Sequence, residues 1–371
     1  MAKRGDGQKG KQARRGPVKR PARRSGTVAI IGRPNVGKST LLNAALEQPL
    51  AIVSPVPQTT REALLGVVHH GDAEIALLDT PGFHRPKTEL GRMMNVAARE
   101  AARSADVIVF MTDVPQRLAT KGTANTGEPP PPARVHPGDR TLLADLKGGA
   151  PVVLVLNKID RFRDKAEMLP LLDMLGKEHD FAAIVPISAR RADGVTRVMD
   201  EVSKLLPEGT WRFEADEVTD KPTRFFAAEY VREQILQATE AEVPHAAAVV
   251  IDHYLEPAGG GAVAGAGAGK KPVVRIDATI HVERPGQKKI LIGHGGEMLK
   301  RIGTEARRRI EELIGQQINL KLWVRVTPDW RQSIPALTEL GFAKAGEDEG
   351  EAVIEAELPE LAAETTEEEQ S

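Results

Sequence analysis

Apolar and polar positions follow two regimes along this chain. From Thr27 to about Leu206, short apolar runs recur at strand length: "TVAIIG", "EALLGVVHH", "EIALLDT", "DVIVFMTD", "PVVLVLNKID" and "AAIVPISA". Between them, "KSTLLNAALEQ", "LGRMMNVAAREAARSA", "DKAEMLPLLDMLGKEH" and "GVTRVMDEVSKLLP" repeat their apolar residues at helical spacing. Unbroken apolar strands alternating with helices predict a mostly parallel, doubly wound α/β sheet covered on both faces. Ligands of such sheets lie outside the carboxyl ends of the strands.

Beyond "LPEGTWRFEADEVTDKP" the regime changes. "TRFFAAEYVREQILQAT" reads as an amphipathic helix, and "AAAVVIDHYLE" and "VVRIDATIHVER" read as strands. Val274, Ile276, Ala278, Ile280 and Val282 fall at alternate positions, as do Ile318, Leu320, Leu322, Val324 and Val326. Helices flank "GHGG" between those two strands, so a second, smaller α/β domain follows the first. The expected boundaries are 26–207 and 222–330, joined by a linker at 208–221, with a helical segment at 331–343. Two inserts cannot build a core: the Pro/Gly-rich stretch 116–138 and the Gly/Ala loop 257–272.

Charge sharpens this division. The net charge of −1 conceals a basic tail at 1–25, with ten Lys/Arg and one Asp, and an acidic tail at 344–371. Both read as disordered. With no cysteine in 371 residues, disulfides, thiolate metal sites and cysteine nucleophiles are excluded. The amino terminus lacks the apolar core of a signal peptide, and no run approaches the length of a transmembrane segment. A cytoplasmic protein is expected.

"GRPNVGKST", spanning Gly32, Arg33, Pro34, Asn35, Val36, Gly37, Lys38, Ser39 and Thr40, lies between a strand and a helix and fits a phosphate-binding loop. Lys38 is expected on the β- and γ-phosphates and the Ser39 hydroxyl on Mg²⁺. "NKID" (Asn157, Lys158, Ile159, Asp160) selects guanine. Asp160 accepts both the N1–H and the N2 amino protons, whereas adenine would leave that carboxylate unpaired. Asn157 is expected to fix the base edge, and Ser188-Ala189 to present the Ala189 N–H to guanine O6. "DTPGF" supplies Asp79 for the metal, Thr80 and Pro81, and Gly82, whose N–H can meet the γ-phosphate. Phe83 stands where many GTPases carry a water-orienting glutamine, so slow intrinsic turnover is expected. In "QTTRE", Thr60 is the expected second metal hydroxyl, with Thr59 as the alternative.

These motifs, continued through "TDKPTRFFAAEYVREQIL", "VERPGQKKILIGHGGEMLKRIGTEARRRIEEL" and "LKLWVRV", resemble the Era family within the TrmE–Era group of translation-associated GTPases. The resemblance covers most of 27–342. It implies a P-loop GTPase domain followed by a type II KH domain whose Gly293-His294-Gly295-Gly296 loop binds single-stranded RNA. The RNA would be the 3′ end of 16S rRNA, and the role would be maturation of the small (30S) ribosomal subunit. Lys288, Lys289, Lys300 and Arg301, with Arg307, Arg308 and Arg309 beyond them, form the expected phosphate-facing surface. The loop departs from the family in lacking a Lys or Arg at its two variable positions.

The resemblance further implies GTP/GDP and Mg²⁺ as ligands, a K⁺ ion held by Asn35, and peripheral contact with the cell membrane, for which the sequence offers no amphipathic anchor. Lys38, Thr60, Asp79, Gly82 and Asn35 are the expected catalytic set. Two other readings are an RNA-binding adaptor with a structural nucleotide site and a tRNA-modifying GTPase. The intact Lys38, Ser39, Thr60, Asp79 and Asp160 argue against the first, and the KH-like second domain argues against the second.

Overall fold

Strand β1 (Arg24–Ile31) runs through the middle of a six-stranded sheet, with Val28, Ala29 and Ile30 fully buried. The computed structural model describes residues 23–114, 135–162, 164–256 and 273–342. The sheet order is β2 (Leu64–His70), β3 (Ala73–Asp79), β1, β4 (Val107–Asp113), β5 (Val152–Asn157), β6 (Ala183–Pro186). Only β2 runs antiparallel to its neighbour. The helices are α1 (Lys38–Leu46), α2 (Glu89–Ser104), α3 (Pro137–Asp145), α4 (Leu169–Gly176) and α5 (Val195–Leu205). In α2 the buried Leu90, Met94, Ala98 and Ala101 repeat at three to four residues, and the Thr88 hydroxyl caps the start by accepting from the Gly91 N–H at 3.1 Å.

The second domain has a three-stranded sheet, β7 (Ala248–Leu255), β8 (Val274–Val282) and β9 (Ile318–Val326). β7 pairs antiparallel and β9 parallel with β8. Helices α6 (Thr223–Ala238), α7 (Val243–Ala246), α8 (Pro285–Ile292) and α9 (Glu297–Ile314) complete it, and α10 (Ile334–Glu339) follows. The alternation expected for β8 holds: Val274, Ile276, Ala278, Ile280 and Val282 are all buried, on the face that meets the helices.

Three expectations are corrected, and the linker gains its anchoring contacts. β1 begins at Arg24, inside the stretch assigned to the basic tail, because Ser25 is buried and donates to Glu74 at 2.8 Å. Val135 enters the core and α3 starts at Pro137, so the 116–138 insert ends earlier than its composition suggested. The helix expected over 164–179 starts only at Leu169, after a 3₁₀ turn, because Pro170 fits the first turn of a helix but not its interior. The linker 208–221 is tied down: backbone N–H groups of Arg212 and Phe213 donate to the fully buried Glu74 carboxylate at 2.9 Å, and Val67 N–H donates to the Val218 carbonyl. The remainder of both tails, most of the first insert and all of 257–272 lie outside the described residues.

The domains share one further cluster. Leu90 and Met94 of α2 pack with Ala248, Trp330 and Leu337, and Phe342 stacks on Trp330 at 5.6 Å.

Candidate nucleotide and RNA sites

The loop from β1 to α1 turns through Asn35 (φ 61) and Gly37 (φ 108). A Cβ at Gly37 would meet the Asn157 amide at 2.3 Å, so only glycine fits there. Lys38 is buried, and its ammonium donates to the Gly32 and Arg33 carbonyls at 3.2 and 3.1 Å. Burial pushes its pKa from 10.5 down to about 8; Asp79 works against that fall and Arg33 adds to it.

Beside Lys38 three oxygen-bearing side chains converge. Ser39 Oγ donates to Asp79 Oδ2 at 2.6 Å and lies 3.0 Å from Thr60 Oγ1, which is itself 3.3 Å from Asp79 Oδ2. Asp79 is fully buried, its other carboxylate oxygen has no hydrogen-bond partner among the described residues, and burial raises its pKa. One carboxylate and two hydroxyls, with a buried acceptor left unsatisfied, fit a hard divalent cation such as Mg²⁺. Thr59 is turned away, its hydroxyl donating to the Val56 carbonyl at 2.6 Å. Of the two threonines, the geometry favours Thr60.

Gly82 lies against Pro34, and the Phe83 N–H donates to the Gly32 carbonyl at 3.2 Å. The Phe83 ring is half-buried and packs against the core. Thr80 donates to the Ile30 carbonyl at 2.7 Å and holds the loop to β1.

At the other end, β5 delivers Asn157. Its amide donates to the Val36 carbonyl at 2.8 Å and accepts from the Ala189 N–H at 2.9 Å. Asn157 thus ties the phosphate loop to the Ser188 loop and holds the Ala189 N–H expected on guanine O6. Ile159 is buried beneath them. Asp160 accepts from the Ser188 hydroxyl at 2.6 Å, which aims the carboxylate. Lys158 bridges the Asn35 carbonyl at 2.6 Å and Asp113 at 2.7 Å. Arg33 does not project toward the phosphates; it is held by Asp139 at 2.7 Å and Asp113 at 3.1 Å. Thr40 lies within α1.

Sequence reasoning missed Asp113, Asp139 and Arg61. Asp113 ends β4, level with Asn157 on β5, so the strand-end rule could have found it. Arg61 had no such signal. It is buried, donating to the Ala247, His245 and Pro244 carbonyls of the second domain at 2.7, 3.0 and 3.4 Å. Its guanidinium lies 5.7 Å from the Trp330 ring centroid. Burial, then Arg232, lower its pKa.

In the second domain, α8 ends at Gly293 (φ 73), where a Cβ would meet Met298 Cβ at 2.7 Å. Gly295 (φ 57) and Gly296 (φ 86) face open space, and α9 starts immediately afterwards with its N–H groups directed at the loop. His294, Lys289, Lys300 and Arg301 are exposed and Lys288 half-buried. The basic surface is narrower than its composition suggested. Arg308 pairs with Glu305 and Glu312, and Arg309 with Glu233 while lying over Tyr230, leaving Lys288, Lys289, Lys300, Arg301 and Arg307 without a carboxylate partner among the described residues.

Two families match, 50S ribosome-binding GTPase over residues 27–158 and KH domain over residues 242–331. GTPase Era of Lactobacillus delbrueckii subsp. bulgaricus is 40% identical over 321 residues, 86% of this chain and 97% of the relative. GTPase Era of Xylella fastidiosa is 41% identical over 322 residues, with the same coverage. A crystal structure of Era in complex with MgGDPNP and nucleotides 1506–1542 of 16S ribosomal RNA is 38% identical, with a TM-score of 0.75 over 86% of this chain and 99% of that one. Aquifex aeolicus Era bound to GDP·AlF4⁻ matches equally well. Among the described residues no helix is long and apolar enough to cross a membrane. Identity of about two residues in five along most of the chain, with a GTPase and a KH domain matched in that order, places it in the Era family of GTPases.

Proposed function

We propose that this GTPase is a switch that binds the 3′ end of 16S rRNA through its GHGG face and assists maturation of the small ribosomal subunit. The observation that carries the reading is the adjacency of Thr60 and Arg61. One lies in the nucleotide site, against Ser39 and Asp79; the next residue is embedded in the KH domain. Loss of the γ-phosphate changes what holds Thr60, and Arg61 conveys that change to the domain that carries the RNA.

At the nucleotide, Lys38 meets the terminal phosphates, the Gly82 N–H reports the γ-phosphate, and Asp160, aimed by Ser188, accepts the guanine N–H donors. Ser39, Thr60 and Asp79 would hold Mg²⁺, which when bound supplies charge neutralisation on the phosphates. Phe83 orients no water, and Asn35 is assigned to a K⁺ ion that takes up part of that electrostatic work. A role on the small ribosomal subunit supports a cytoplasmic location; contact with the cell membrane is read directly by cosedimentation with anionic vesicles, and recovery in the supernatant alone would remove it.

The test is binding of a 16S rRNA 3′-end oligonucleotide to full-length protein loaded with a non-hydrolysable GTP analogue or with GDP. Gly295→Asp is the control. Aspartate tolerates the left-handed backbone at φ 57, nothing lies within 4 Å, and the new charge faces the RNA backbone. Tighter binding in the GTP form, lost in Gly295→Asp, is expected. Equal binding in both nucleotide states would overturn the switch.

A further inference from the structure

The face of the KH sheet turned away from its helices is open along β9, and one large aromatic stands there. Trp323 of β9 is 48% exposed, whereas Trp330 is fully buried and the Trp211 ring lies against His69 at 4.6 Å. Parallel register sets Trp323 beside Thr279, with Lys321 opposite Asp277 and Arg325 opposite His281. All six residues point to the same face, since side chains two apart on a strand share a side.

A concavity of about 750 Å³ opens there, lined by Asp277, Thr279, Lys288, Trp323 and Arg325, among others. The charges in and around it are unequally engaged. Asp252 accepts from the Thr279 hydroxyl at 2.7 Å, and Asp277 Oδ2 accepts from Arg275 at 2.7 Å, while Asp277 Oδ1 is buried without a hydrogen-bond partner among the described residues. Lys288, Lys321 and Arg325 have no carboxylate partner among the described residues. What remains free is a flat indole flanked on its own strand by two cations, with a third across the hollow. That combination fits an unstacked nucleobase with its phosphates, because every base offers a ring face to an aromatic and a backbone anion to a cation.

The position supplies the connection. Lys288 belongs to α8, the helix that runs into the GHGG loop, and it also lines this hollow. We infer that the KH domain carries a second single-stranded RNA site, in which Trp323 stacks a base and Lys288, Lys321 and Arg325 hold the flanking phosphates of a strand continuing from the GHGG loop. This site rests on the RNA-binding reading above and extends it from the loop to the opposite face of the sheet.

The experiment uses full-length protein with the non-hydrolysable GTP analogue and two RNAs: a short 16S 3′-end oligonucleotide, and the same oligonucleotide extended at both ends. Trp323→Ala is expected to weaken the extended RNA roughly ten-fold and leave the short one unchanged, with Trp323→Phe restoring most of the loss. The fluorescence that Trp323 contributes, taken as the difference between the parent and Trp323→Phe, should be quenched by the extended RNA alone. Equal affinities of parent and Trp323→Ala for the extended RNA would overturn the proposal. So would an equal loss on both RNAs, which would place Trp323 in the first site or in the fold. If the parent binds neither RNA, the reading of the GHGG loop fails first and takes this site with it; if it binds the short RNA and Trp323→Ala changes nothing, only this site fails.

Discussion

Lys38 shows at the scale of one residue how a nucleotide site is tuned before its ligand arrives. Buried against carbonyls, it holds its proton only up to about pH 8, against 10.5 for an ordinary lysine. Phosphate needs the charged form, so binding above that pH must draw a proton from solvent. Between about pH 8 and 10.5, GDP affinity should fall with rising pH, by at most about ten-fold per unit. Calorimetry at about pH 9 in buffers of different ionisation enthalpy should report the uptake; identical heats in all buffers would refute it. The stability sign is opposite to that of a gained ion pair. In the same window the unfolded chain binds more protons, so the nucleotide-free fold gains stability as pH rises. Asn35 is a second such residue. Its amide donates to the Pro55 carbonyl at 2.9 Å, and its Oδ1 has no partner among the described residues. That leaves an oxygen ligand beside the phosphates for a monovalent cation. Hydrolysis by Asn35→Ala should lose its stimulation by potassium over sodium while retaining the sodium rate. Undiminished stimulation would remove Asn35 from the cation site.

At the scale of elements, most of the fold was legible because each run carried its own period. β5 is buried on both faces and reads as an unbroken apolar run; β8 is apolar on one face only and alternates, although Asp277 and His281 on its other face are buried as well. The order of the motifs fixed the strand ends at which Lys38, Asp79 and Asn157 had to lie. Elements were misjudged where long-range contact overruled local composition. The Pro/Gly-rich stretch hid the start of α3, and a charged linker at 208–221 gave no sign of what holds it, yet the Glu74 carboxylate binds Arg212 and Phe213 from 138 and 139 residues away. The site was legible to the same degree. Glycines and charged residues at fixed spacing announced the phosphate loop, but the partners of Arg33 and Lys158 on β4 and α3 depend on which strands end side by side. Nor could spacing show that Asn157 and Ala189 bind each other, because that bond closes across 32 residues.

At the scale of the whole molecule the question is how two domains, each with its own glycine loop, act together. α2 supplies Leu90 and Met94 to the cluster around Trp330, a broad apolar contact that two packed domains would share in either nucleotide state. Arg61 differs because it leaves the loop that carries Thr60 and is directed to three carbonyls at the end of α7, beside Trp330, whose Nε1 donates to the Ala246 carbonyl at 2.9 Å. A guanidinium spreads its donors over a planar fork that spans the three carbonyls, whereas an ammonium concentrates them at one point on a shorter reach. Arg61→Ala removes the contact while leaving Lys38, Ser39, Asp79 and the GHGG face in place. The expected result is retained guanine-nucleotide binding and retained RNA binding, with the ratio of RNA affinities in the GTP and GDP states falling toward one. Coupling between sites is commonly worth 1–3 kcal/mol, so a parental ratio of roughly 5–150-fold is there to be lost. Arg61→Lys should recover only part of it. Linkage requires the reciprocal effect, so RNA should no longer tighten the GTP analogue in Arg61→Ala. If the ratio survives the substitution, communication runs through α2 and the Trp330 cluster instead, and Met94→Ala becomes the variant in which it should fail.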